Sequence, residues 1–176
     1  RTITDEEIAS FDNIRQGNDF GYATDPMAFV RIHYDKKKRI IYFIDEIYGV
    51  KMSIRELASK IKSKGYDDFH VTCDSAEPRS IAELREFGIK ALKAKKGPGS
   101  IEFGENWLDD LEAIVIDVKR TPNVAREFEN IDYQTDKDGN IRPKLEDKDN
   151  HSIDSTRYAL ELDMKLHGRE RTYNSR

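Results

Sequence analysis

The order in which the hydrophobic periodicities occur constrains this chain more than any other feature. Residues 17–50, GNDFGYATDPMAFVRIHYDKKKRIIYFIDEIYGV, read as three strands in succession, at about 18–23, 27–34 and 39–47. The polar turn DKKK joins the second and third as a hairpin. Beyond residue 50 the pattern alternates. SIRELASKIKSKG sets Ile54, Leu57, Ala58 and Ile61 on one helical face, with Gly65 as a stop. FHVTC is a fourth strand, and EPRSIAELREFG a helix with Pro78 in its first turn and Gly88 at its end. IKALKA is a short strand, KKGPGS a loop, IEFGENWLDDL a helix and EAIVID a buried strand. TPNVAREFENI is a helix capped by Thr121, with Pro122 at its first position. YQTDKDGNIRPK is an extra β-hairpin around DKDGN, and NHSIDSTRYALELDMKLHG is the last helix. A short helix precedes all of this, with Thr4 and Glu7 at capping-box spacing. A meander followed by alternating strands and helices specifies the α/β class: one mixed central sheet flanked by helices.

Bulk properties narrow the function. The 176 residues suit a single domain over 1–176. A net charge of -4 excludes a globally basic nucleic-acid binder, so only local clusters can meet phosphates. The single cysteine, Cys73, excludes an internal disulfide, and no zinc-ligand spacing occurs, so Cys73 reads as a small buried filler. No stretch approaches a membrane span or a signal peptide, so no membrane partner is expected. The start at Arg1 without methionine suggests a fragment of a longer protein.

Three acids stand out. Asp19 lies in the first strand between Gly17 and Gly21, where glycines permit close approach of another backbone or a ligand. The alternative is a solvated aspartate on an edge strand. Asp74 follows a strand and precedes a helix, the position at which α/β sheets place working residues. The alternative is that Asp74 or Ser75 caps that helix. Asp154 and His151 share a face of the last helix, while Ile153, Arg157, Leu160 and Met164 line another. There the alternative is an exposed polar pair on an amphipathic helix. Should the three carboxylates converge, they repel one another unless some protonate or a divalent cation neutralises them. Oxygen ligands suit Mg²⁺ or Mn²⁺, and two such ions ~4 Å apart can clamp the attacking and leaving oxygens of a phosphodiester. Arg85, Lys90, Lys93, Lys95 and Lys96 stand against one acid, Glu86, in residues 85–100. That strip is either a phosphate contact or a solvated surface. DKDGN lacks the terminal acidic ligand of a calcium loop and reads as a hairpin turn.

GNDFGYATDPMAFV, IYFIDEIY, CDSAEPRSIAELREFGI, KKGPGSI, IVID and DKDNHSIDSTRYALE occur in one order. Together they resemble the C-terminal nuclease domain of tailed-phage terminase large subunits, especially those of headful-packaging phages. The resemblance runs from about Thr4 to Met164. It implies an RNase H-like fold, of the resolvase and integrase type, and an endonuclease that cuts concatemeric viral DNA in the host cytoplasm. It implies that Asp19, Asp74 and Asp154 bind the metal, with Asp25 as an accessory acid and His151 as a catalytic neighbour. It places the hairpin near the path of double-stranded DNA, which Lys93, Lys95 and Lys96 would contact. Members of the family also carry an ATPase domain with Walker motifs and work with a portal and a small terminase subunit. No Walker motif occurs here, so the chain is expected to be an excised, monomeric nuclease domain. Two other readings stay open: a catalytically weak module that docks DNA or the portal, and a nuclease akin to Holliday-junction resolvases.

Overall fold

A computed structural model of the chain describes residues 1–95 and 97–165. The meander comprises β1 (Ile14–Asp19), β2 (Pro26–Asp35) and β3 (Ile40–Val50), after a short helix α1 (Asp5–Ala9). Then follow α2 (Ile54–Ser63), β4 (Val71–Cys73), α3 (Pro78–Glu86), β5 (Ala91–Lys93), α4 (Ser100–Asp109), β6 (Ala113–Val115) and α5 (Pro122–Asn130). The hairpin β7 (Tyr133–Thr135) and β8 (Ile141–Leu145) precedes α6 (His151–Ala159). Helical backbone resumes over 161–165 after a turn at Leu160. The expected helix end, residues 166–168, lies outside the described residues.

The main sheet has six strands in the order β5-β4-β1-β2-β3-β6. β1, β2 and β3 pair antiparallel, while β4, β5 and β6 add in parallel. The sheet is therefore mixed, with a core on each face. One face packs Phe29, Ile47 and Val71 against Leu57 and Ile61 of α2 and Ile81 and Leu84 of α3. The other packs Val30, Ile32 and Phe43 against Trp107 of α4, Val124 of α5, Ile153 of α6 and Leu160 at that helix's end. Phe29 and Val30 are adjacent yet belong to opposite cores, as strand alternation requires.

Two expectations for the strands need correction. The first strand runs from Ile14 to Asp19, not 18–23, so Asp19 ends it. After Asp19 the chain turns, with Asp25 N–H donating to the Tyr22 carbonyl at 2.9 Å. EAIVID forms a strand, but β6 is a half-buried edge beside β3 rather than a buried strand. A third correction concerns a cap. Thr121 is at the N-cap of α5 but its hydroxyl donates back to the Asp117 carbonyl at 3.1 Å, leaving that helix uncapped by its own residue.

A carboxylate from the sheet supplies the missing cap. β2 and β3 slip register between Arg31 and Ile32, pairing Arg31 with Asp45 but Ile32 with Phe43. This bulge reverses which face the later residues of β3 present. Glu46 therefore turns toward α5, where it accepts N–H bonds from Asn123 at 3.0 Å and Val124 at 2.9 Å. Asp45 turns to the opposite face and accepts from Lys64 at 2.7 Å and the Tyr66 hydroxyl at 2.8 Å.

Candidate functional site

β1 is an interior strand, between β4 and β2, so the edge-strand reading of Asp19 is wrong. Its side chain is 12% exposed. Asp74 directly follows β4, and its backbone N–H donates to the Asn18 carbonyl at 3.2 Å, extending the parallel pairing by one step. Asp19 and Asp74 thus leave neighbouring parallel strands at the same end of the sheet. The cap reading of Asp74 and Ser75 also falls. α3 starts at Pro78 with Glu77 at its N-cap and no side-chain cap bond. Asp74 Oδ1 instead accepts from the Ala76 N–H at 3.0 Å, closing a tight turn that fixes the carboxylate at the strand's end.

α6 crosses over β1, and Gly17 makes that crossing possible. A Cβ on Gly17 would lie 1.9 Å from the Ser155 carbonyl oxygen and 2.9 Å from the Ala159 nitrogen. Ser155 strengthens the contact by donating to the Ala28 carbonyl at 2.6 Å. The helix brings His151 to Asp19, with Nδ1 at 3.1 Å from Oδ2. With His151 16% and Asp154 21% exposed at the side chain, the pair is not the exposed one that an amphipathic helix would carry. Ile153, Arg157, Leu160 and Met164 are all buried, as the helical face requires.

Asp74 and Asp154 line a cleft of about 560 Å³ together with the loop and helix start from Gly97 to Glu102, Lys144, Asp147, Arg157 and Tyr158. Asp19 is electrostatically part of the same cluster. Burial pushes its carboxyl above the usual range, the His151 bond pulls it back, and the charges of Asp154 and Asp74 push it up again. Tyr158 registers all three acids. Burial raises its hydroxyl pKa first, then Asp154, Asp74 and Asp19 in that order. His151 is raised chiefly by its bond to Asp19, against the opposing effect of burial. Asp25 lies on the exposed turn after β1, and its charge also raises His151.

Among the described residues, no three His, Cys, Asp or Glu side chains are gathered tightly enough to grip an ion as they lie. The reason is visible in their partners. Asp19 turns to His151, Asp154 Oδ1 accepts from Arg157 Nη2 at 2.8 Å, and Asp74 holds its own turn.

The basic strip is only partly at this cleft. Lys93 is exposed at the end of β5, paired in register with Cys73, the last residue of β4. Lys95 is exposed too, and it shares a small cavity with Ser100, Arg157 and Tyr158, which also line the cleft. Lys96 lies outside the described residues. Lys144, on β8 of the hairpin, lines the cleft itself and was missed by sequence reasoning. Its signal was available only as a lysine on a hairpin expected near DNA. Cys73 is fully buried and its thiol is pushed up to about 12 by burial, which keeps it an inert filler.

A family model described as "Terminase RNAseH like domain" matches residues 19–162. The chain belongs to this terminase family. The terminase large subunit of Bacillus phage SPP1 is 61% identical over 168 residues, which cover 94% of this chain and 40% of that protein. The PBSX phage terminase large subunit of Bacillus subtilis strain 168 is 31% identical over 151 residues, covering 84% of this chain and 34% of that protein. The terminase domain described here thus spans well under half the length of either curated relative. Among solved structures, the SPP1 large-terminase nuclease domain with bound Mn superimposes with a TM-score of 0.90 at 61% identity, covering 92% of each chain. The nuclease domain of the P22 large terminase, at 17% identity, shares the fold with a TM-score of 0.65 over 86% of this chain and 81% of that one. The mixed six-stranded sheet with its added hairpin is therefore the RNase H-like fold of large-terminase nucleases. No helix among the described residues is long and apolar enough to cross a membrane.

Proposed function

We propose that residues 1–176 form a single nuclease unit that cuts concatemeric viral DNA during genome packaging, using Mg²⁺ or Mn²⁺ held by Asp19, Asp74 and Asp154. The observation that carries this reading is that Asp74 and Asp154 line one cleft, while Asp19 ends the strand beside that of Asp74 and is bonded to His151, on the same helix as Asp154. The donor set fits a divalent ion. All three are hard oxygen ligands, and Asp19 is buried beside two like charges that a cation would relieve. The Mn bound to the SPP1 nuclease domain supports the same choice. Bound ions supply charge neutralisation at the phosphodiester and a lowered pKa for the attacking water.

The chain's own residues do the rest. His151 fixes Asp19 through Nδ1, which leaves Nε2 as the ring atom able to accept or release a proton. Arg157 holds Asp154 in place from the buried side of α6. Asp25 adds negative charge at the rim. Lys144 and Lys95, with Lys93 and Lys96 on the same strip, meet backbone phosphates of double-stranded DNA and position it without reading its sequence. In the parent protein an ATPase domain, a portal and a small subunit would be the partners, in the host cytoplasm, and the domain alone would be monomeric.

The direct test is nicking of plasmid DNA with Mn²⁺ or Mg²⁺. No cleavage at any metal concentration, with DNA binding retained, would reduce the domain to a docking module. Metal should also stabilise the fold by mass action. At a hundredfold excess over Kd the gain is about 2.7 kcal/mol, or a Tm rise of ~5–10 °C in a chain of this size. A thermal scan with and without Mn²⁺ checks this, and an unchanged Tm at saturating metal counts against a shared site. Lys95→Ala combined with Lys144→Ala should weaken binding to unrelated DNA sequences alike. Each phosphate contact removed should flatten the slope of log K against log salt by about 0.9. An unaltered slope would take both lysines out of the interface.

A further inference from the structure

α6 begins without a cap of its own. Asn150 occupies the N-cap position but makes no side-chain cap bond, and its amide lies 3.5 Å from Asp147 Oδ1 instead. A carboxylate from the preceding helix takes that place. Glu127 is 1% exposed, and its Oε2 accepts the Ser152 N–H at 2.5 Å. Its Oε1 accepts from the Tyr48 hydroxyl at 2.7 Å, which directs the other oxygen toward α6. Tyr48 in turn accepts from Arg126 Nη2 at 3.0 Å. Glu127 is itself placed by α5, whose own start is held by Glu46 of β3. Two carboxylates thus fasten two successive helix starts to the sheet. A buried negative group at a helix N-terminus satisfies an orphan N–H and meets the positive end of the helix dipole.

The residue next to the capped Ser152 is His151, which bonds Asp19, and Asp154 follows within the first turn. We infer that Glu127 is a positioning residue for the metal and nuclease centre, setting the start of α6 so that His151 meets Asp19 and Asp154 faces the cleft. Glu127 touches neither substrate nor metal in this scheme; it acts through the helix backbone. The inference rests on the nuclease reading above for its consequence, but not for its geometry. Loss of supporting groups behind metal ligands generally weakens metal binding ~10–100-fold.

The variants are chosen to separate reach from charge. Glu127→Gln keeps an oxygen to accept from Ser152 and an amide to bond Tyr48. Glu127→Asp keeps the charge but withdraws it by one methylene. Glu127→Ala removes both. Two measurements are made on the 176-residue chain at a temperature where circular dichroism shows it folded. They are the ¹⁵N chemical shifts of the His151 ring and Mn²⁺ affinity by titration calorimetry. The Gln variant should stay within about threefold of the parent in Mn²⁺ Kd, with the hydrogen-bonded Nδ1 signal retained. The Asp and Ala variants should lose that signal and bind Mn²⁺ at least about tenfold more weakly. A merely structural Glu127 would lower Tm and move neither readout. Should Ala not fold, the Asp variant decides. A folded Asp or Ala variant with parental shifts and parental Kd overturns the inference. If the parent never cleaves DNA yet the His151 spectra separate Gln from Asp as stated, the nuclease reading fails and the positioning role stands.

Discussion

Asp74→Ala should reduce Mn²⁺-dependent plasmid cleavage by at least about 10³-fold, which corresponds to roughly 4 kcal/mol of lost transition-state stabilisation. Asp74 is the most informative of the three acids to change. Asp19 is buried against His151, and Asp154 is tied to Arg157, so replacing either disturbs a packed pair. Asp74 stands at the end of β4, where its Oδ1 accepts from the Ala76 N–H. Losing such a bond costs ~1 kcal/mol, a Tm change of a few degrees. Asp74→Asn is the control that separates turn from charge. Its amide oxygen can still accept from Ala76, but the negative charge that would hold a cation is gone. Both variants should be inactive with near-parental Tm, and the Asn variant should also lose most of the Mn²⁺-induced stabilisation. Full cleavage by either one would remove Asp74 from the site and with it the shared-ion mechanism.

How far the sequence could be read depended on where periodicity was clean. β2 and β3 carry apolar runs long enough to show; α2 appears with its expected face and stop, α3 with its expected start and stop, and α5 with Pro122 at its first position. β1 was misplaced by four residues because its alternation is hidden. Gln16 is buried, yet polar, and its amide spans the carbonyls of Tyr66 and Phe69 while accepting from Arg31. Phe20 and Tyr22 mimic a strand beyond it, although Tyr22 is 79% exposed on a turn. The expected burial of β6 is only half met because a short apolar run looks the same at an edge as in the middle of a sheet. Of the candidate acids, Asp74 was legible by its place after a strand, while Asp19 and Asp154 stood out by residue type and neighbours alone. Their convergence was not legible, because it depends on a helix crossing that only packing decides. Glu127 was hidden most completely. Glutamate is an ordinary helix residue, and only its place on the buried face beside Val124 distinguishes it from a solvated one.

That helix crossing is itself open to a decisive substitution, Gly17→Ala. The added methyl would meet backbone on the other side, the Ser155 carbonyl at 1.9 Å and the Ala159 nitrogen at 2.9 Å, so no side chain can swing away to admit it. α6 must shift as a body by more than an ångström, or β1 must bend. Either displacement breaks contacts in a core that holds Ile153 and Leu160 at 2% and 0% exposure. Overpacking of this kind costs ~1–3 kcal/mol, and a Tm fall of ~2–12 °C is expected by thermal denaturation. The larger effect should fall on function. A shift of α6 moves His151 from Asp19 and Asp154 from the cleft, and misplacement by ~1 Å can cost ~10²-fold in rate even where the fold survives. Cleavage should therefore drop further than stability does, when measured at a temperature well below the lowered Tm. An alanine at position 17 that leaves both Tm and Mn²⁺-dependent cleavage unchanged would mean that α6 does not lie against β1 as described. The gathering of the three acids would then lose its physical basis.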